Sequence, residues 1–87
     1  MIQKLIIKGI VQGVGMRYHI ATQARKHNLN GEVKNNTNGT VTCILSGDQS
    51  TIQQFINNLK NHHPGEIADI ETEILADQTY KNFSIKH

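Results

Sequence analysis

The chain has 87 residues, 37% hydrophobic and 18% charged, with a formal net charge of +2, and it reads as a single soluble domain over 1–87 with a modest core. No apolar run approaches the roughly 20 residues that cross a bilayer, and Leu5-Ile6-Ile7 is too short for a signal-peptide core. The lone Cys43 excludes an intramolecular disulfide and any cysteine-based metal cluster, so the expectation is a cytoplasmic protein without a membrane partner.

Residues 2–10 alternate around Leu5, Ile7 and Gly9, with Ile6 on the other face, and predict a strand. Residues 17–28 predict a helix with Ile20, Ala21 and Ala24 inward and Arg25 and Lys26 outward, stopped at Asn28-Leu29-Asn30-Gly31. Two strands follow, Glu32–Asn36 and Thr40–Ser46, joined at the turn signal Asn38-Gly39. Val41, Cys43 and Leu45 share one face of the second, where Cys43 acts as a small buried hydrophobe. Asp48 can cap the next helix, in which Ile52, Phe55, Ile56 and Leu59 repeat at i, i+3, i+4 and i+7. His62-His63-Pro64-Gly65 ends it. A half-exposed strand over 67–75 sets Ala68, Ile70, Thr72 and Ile74 against Asp69, Glu71 and Glu73, and Phe83 and Ile85 mark a last short strand. The order β-α-β-β-α-β-β predicts the α+β, ferredoxin-like sandwich, with two helices on one face of a mostly antiparallel sheet.

The turn Gly9-Ile10-Val11-Gln12-Gly13-Val14-Gly15-Met16-Arg17 lies between the first strand and the first helix. A glycine-rich turn leading into a helix N-terminus forms a concavity of backbone N–H groups suited to an anion such as phosphate. Arg17 adds a planar fork of donors that matches two phosphoryl oxygens. Taken alone the loop reads more readily as a plain tight connection carrying a surface arginine, and it is neither a P-loop nor a dinucleotide GxGxxG. Charge points the same way as the loop. Residues 1–47 set Lys4, Lys8, Arg17, Arg25, Lys26 and Lys34 against Glu32 alone, whereas 48–87 set three lysines against six carboxylates. An anion is drawn to the first half, although scatter of solvated charges gives the same totals.

Gly31-Glu32-Val33-Lys34-Asn35-Asn36-Thr37-Asn38-Gly39-Thr40-Val41 carries a second pattern, with Asn35 at the end of a strand, 18 positions after Arg17. Together the two segments resemble acylphosphatases, whose signatures run G-x-V-Q-G-V-x-x-R and G-x-V-x-N-x-x-x-G-x-V. Tyr80-Lys81-Asn82-Phe83-Ser84-Ile85 is similar to the family's C-terminal strand, so the resemblance spans essentially the whole chain. It implies hydrolysis of acyl phosphates to carboxylate and inorganic phosphate by a monomer without a cofactor. On that reading Arg17 and the backbone amides of Gln12, Gly13, Val14, Gly15 and Met16 hold the phosphoryl oxygens, and Asn35 orients the attacking water. Two positions depart from the pattern. Glu32 stands where the family usually has an aromatic residue, and Gly15 where a larger side chain is common; these bear on packing, loop rigidity and the substrate entrance rather than on a group the chemistry needs.

Other residues offer less. Adjacent His62 and His63 point apart on a helix with no spaced acidic partner, so no metal is expected. His19, beside Arg17, reads as a solvated surface residue or a substrate contact, and Asn36 and Thr37 as turn residues or supports for Asn35. The alternative class is a non-catalytic phosphate-, anion- or RNA-binding module on the same fold. A chain with no Trp, two Tyr and two Phe and no K/R-G-F-x-F run gives little support to nucleic acid as a partner.

Overall fold

A computed structural model describes residues 1–87. Its elements run β1 (Ile2–Ile10), α1 (Met16–Lys26), β2 (Asn30–Asn35), β3 (Val41–Ser46), α2 (Gln49–Asn61), β4 (Glu66–Leu75) and β5 (Phe83–Lys86). The strands form one sheet in the order β4-β1-β3-β2-β5. Every pairing is antiparallel except β2 with β5. No helix is long and apolar enough to cross a membrane.

One face of the sheet meets the helices. Leu5 and Ile7 of β1, Val33 of β2, and Val41, Cys43 and Leu45 of β3 are fully buried against Ile20, Ala21 and Ala24 of α1 and Ile52, Phe55, Ile56 and Leu59 of α2. The helical period of 3.6 and the strand period of 2 each place these residues on a single face. Each large side chain contributes about 1.5–3 kcal/mol relative to its exposed state. Burial also pushes the Cys43 thiol pKa up, leaving it an inert hydrophobe. Ile2 is buried outside this core, sharing by register the opposite face with Lys4 and Ile6.

Several boundaries differ from the sequence reading. Helix α1 begins at Met16 and ends at Lys26, because Asn28 turns into the left-handed region at φ 56° and the Leu29 amide returns to the Ala24 carbonyl. Strand β2 begins at Asn30 and ends at Asn35, one residue short of the expected Asn36, and β3 begins at Val41 rather than Thr40. The hairpin therefore has five residues between its strands, closed by Asn36 N–H to the Thr40 carbonyl at 2.8 Å.

Strand β4 departs most. Ile74 is 67% exposed and Ala68 is exposed, whereas Ile67 and Ile70 pack against the core. A register shift between Lys8 and Gly9 pairs Gly9 with Ile67, moving the inward position by one residue. The strand also lies at the sheet edge, where half its backbone and most of its side chains face water.

Register assembles one end of the sheet. Val41 pairs with Ile7 on one side and with Asn35 on the other, so β2 ends, and β1 runs out to Ile10, at the same end of the sheet. Lys34 pairs with Lys86 in the parallel β2–β5 ladder, which brings the end of β5 to the same place.

Candidate active site

The segment leaving β1 is anchored at both ends by buried side chains, Val11 and Met16, each 1% exposed. Between them Gly13 and Gly15 adopt φ of 74° and 83°, whereas Gln12 and Val14 keep negative φ. Alternation of this kind turns successive N–H groups toward one side of the chain, and it needs glycine because a Cβ disfavours the left-handed region. The amides of Gln12 through Met16 donate to no protein acceptor, and Gly15 is the N-cap of α1 without any side-chain cap. A row of unpaired donors therefore meets the positive end of a helix dipole.

A cavity of about 230 Å³ opens over this loop. Gly13, Gly15 and Arg17 line one side, Asn35 another, and Ile85 and His87 the side nearest β5; no Asp or Glu side chain lines it. Arg17 Nη1 donates to the Lys86 carbonyl at 3.0 Å and lies 3.4 Å from His87 Nδ1, so the end of β5 holds the guanidinium at the cavity wall. Asn35, at the last residue of β2, reaches the same cavity, and no protein group takes up its side-chain amide. The arrangement joins a permanent cation, free N–H donors and one neutral amide in a hollow lined by no acidic side chain. That set suits a phosphoryl group and a neutral nucleophile beside it.

Comparison with known proteins decides the family. The acylphosphatase family model matches residues 3–85. The chain is 37% identical over 84 residues to acylphosphatase of Bacillus subtilis, covering 94% of this chain and 92% of that one. It is 36% identical over 84 residues to acylphosphatase of Vibrio vulnificus, covering 95% and 93%. The crystal structure of the Bacillus subtilis acylphosphatase superposes with a TM-score of 0.92 at 34% identity, covering all of both chains.

The chain belongs to the acylphosphatase family.

As an acylphosphatase it is a hydrolase that cleaves acyl phosphates to a carboxylate and inorganic phosphate. The two departures from the family pattern now have locations. By register Glu32 lies on the sheet face opposite Val33 and Asn35, so it does not border the cavity as a substrate entrance. It neighbours Tyr80 instead, whose phenol pKa rises through burial first and the Glu32 carboxylate second. A Cβ on Gly15 would meet nothing within 4 Å, so the space for a larger side chain remains and only the backbone conformation resists it.

Three features escaped the sequence reading. The Gln12 side chain crosses to the β2–β3 turn, donating from Nε2 to the Asn36 carbonyl at 2.7 Å and the Thr40 carbonyl at 2.9 Å. Asn36 in turn donates from Nδ2 to the hydroxyls of Thr40 at 3.0 Å and Thr42 at 2.7 Å. His19 does not line the cavity and is not merely solvated, because its Nε2 lies 2.9 Å from the His62 carbonyl and ties α1 to the end of α2. No local periodicity announces such long-range contacts. His62 and His63 join no group of three potential ligands placed to hold a metal ion. A separate hollow of about 310 Å³ between the helices, floored by Phe55 and Leu59, contains no cation-bearing Lys or Arg and no loop amides.

Proposed function

We propose that this acylphosphatase works by direct attack of a water held by Asn35 on a phosphoryl group bound by Arg17 and the amides of Gln12, Gly13, Val14, Gly15 and Met16. The observation that carries this reading is the common cavity of Arg17, the unpaired loop amides and the free Asn35 amide. Phosphoryl transfer rests mainly on positioning and on stabilising charge over the equatorial oxygens. The Arg17 fork and the loop N–H groups supply that stabilisation without rearrangement. The water forms the new P–O bond, the P–O bond to the acyl group breaks, and the carboxylate leaves with the electron pair. Carboxylate is a good leaving group, so no general acid is needed at the acyl side. The proton of the water passes to a phosphoryl oxygen or to solvent, since an amide is a poor base. No Cys, Ser or Asp stands in the loop to form a phosphoenzyme. The proposed reaction uses only Arg17, the loop amides and Asn35 of a single chain, so it asks for no second copy; gel filtration at assay concentration checks action as a monomer.

Asn35→Ala tests the assignment. With benzoyl phosphate as substrate, kcat falls about 100-fold or more, as when one preorganised donor is deleted. Inhibition by inorganic phosphate changes little because Arg17 and the loop remain. A variant that turns over normally but melts early would return Asn35 to the scaffold, and one that loses phosphate as well would put it in the anion cradle.

A further inference from the structure

We propose that the Gln12 side chain is a positioning residue that sets the distance between Asn35 and the phosphate loop; this rests on the role given to Asn35 above. Both Nε2 hydrogens of Gln12 are committed to the β2–β3 turn, at 2.7 Å to the Asn36 carbonyl and 2.9 Å to the Thr40 carbonyl. The first of these carbonyls belongs to the residue directly after Asn35. The second also accepts the Asn36 amide that closes the hairpin, so Gln12 reaches both ends of the turn.

The turn is bonded within itself, through the Gly39 amide to the Asn36 carbonyl and Thr40 to Asn38 Oδ1, but those bonds do not fix where it stands relative to the loop. It contains five residues between strands, and Thr37, Asn38 and Gly39 are exposed. Asn36 is secured sideways to Thr40 and Thr42, which shapes the turn but gives no tie to the loop. The link from loop to turn is the Gln12 amide. Gln12 itself sits between buried Val11 and left-handed Gly13, in the loop whose Gly13, Gly15 and Met16 line the cavity and whose amides are unpaired. One residue therefore carries a cradle amide on its backbone and the brace to the water-holding strand on its side chain. Two reacting groups held on separate elements lose rate steeply when their separation drifts by about 1 Å, and a glutamine spanning them fixes that separation with two part-buried bonds. Apolar replacement strips one donor from each carbonyl, leaving only the Gly39 amide on Asn36 and the Asn36 amide on Thr40, and a carboxylate sets negative charge against both.

The test uses the intact chain and reads kcat, the inhibition constant of inorganic phosphate and Tm together. Gln12→Leu lowers kcat about tenfold or more with the phosphate constant within twofold, because the loop amides and Arg17 stay in place. Gln12→Glu is worse at neutral pH and regains activity relative to wild type as the solution is acidified, since a protonated carboxyl can donate one of the two lost bonds. Gln12→Leu added to Asn35→Ala costs less than twofold beyond Asn35→Ala alone, as expected when one residue acts through the other. A role confined to stability would lower Tm and leave kcat below the transition unchanged, and that result overturns the proposal. So does a parallel loss of kcat and phosphate affinity, or a full multiplicative loss in the double variant. If Gln12→Leu fails to fold, Gln12→Glu is judged by its acid recovery, whose absence is equally fatal. Normal turnover by Asn35→Ala would instead remove the role of Asn35, a failure recognisable without any Gln12 variant.

Discussion

The guanidinium of Arg17 divides its donors between the protein and the cavity. Nη1 is held by the Lys86 carbonyl, which leaves the Nε–Nη2 edge without a protein acceptor, the edge that the proposed reaction gives to two phosphoryl oxygens. If that edge binds the substrate, removing it costs two charge-assisted bonds of about 1.5–3 kcal/mol each, so Arg17→Ala should lower kcat/KM by roughly a hundredfold or more without unfolding the chain. Arg17→Lys should recover little, because an ammonium cannot reproduce the planar fork. Steady-state kinetics with benzoyl phosphate decide it, and an alanine variant within tenfold of wild type would remove Arg17 from the reaction. That Arg17 and Asn35 are candidates for one site was legible in the sequence, Arg17 from a glycine loop before a helix and Asn35 from the resemblance to acylphosphatases, and both line one cavity. The Lys86 carbonyl was not, since it reaches Arg17 only through the parallel pairing of β5 with β2. The Gln12 side chain was invisible for a similar reason, its partners lying 24 and 28 residues away.

Among the elements, α2 was read most closely from sequence, and all four residues of its apolar stripe are buried. Its cap also behaves as expected. The Asp48 carboxylate accepts from the Ser50 hydroxyl at 2.5 Å and the Thr51 amide at 3.4 Å. These bonds, led by Ser50 and then Thr51, lower its pKa from the usual carboxylate range. A depressed carboxylate pKa stabilises the folded state above the unfolded value, near 4, and the contribution disappears as pH falls through the folded value. Asp48→Ala should therefore lower Tm at pH 7 with kcat intact, and the Tm difference from wild type should shrink toward pH 2. The turn from α2 to β4 has a more direct tie to the site. A Cβ on Gly65 would lie 2.2 Å from the Ile10 carbonyl and 2.8 Å from Val14 Cγ2, at a φ of 64°. Gly65→Ala costs about 1–2 kcal/mol from the left-handed backbone alone. Because it pushes on the phosphate loop, the inhibition constant of phosphate should rise along with the fall in Tm. A lowered Tm with unchanged phosphate binding would show the loop to be indifferent to that turn. Strand β4 was read least well, because a one-residue register shift and an edge position are set by the neighbouring strand rather than by its own alternation.

On the scale of the whole molecule, the positive field at the cavity comes from Arg17, the loop amides and the α1 dipole, all built from the chain itself. Activity should accordingly survive exhaustive treatment with EDTA, and loss restored by a divalent ion would overturn that reading. The sheet order has a different consequence, for how the enzyme comes into being. Only β2 and β3 are neighbours both in the sheet and along the strand sequence; β1 with β3, β1 with β4, and β2 with β5 must each wait for a long loop to close. A hairpin forms in about 1–10 μs, whereas distant pairings slow folding by orders of magnitude in chains of similar size. The cavity needs the end of β1, the end of β2 and the end of β5 at once, so a chain emerging from the ribosome gains its secondary structure well before it gains a site. In refolding from denaturant, the return of activity should follow the docking of the last strand, and catalysis becomes a clock for the final closure of the sheet.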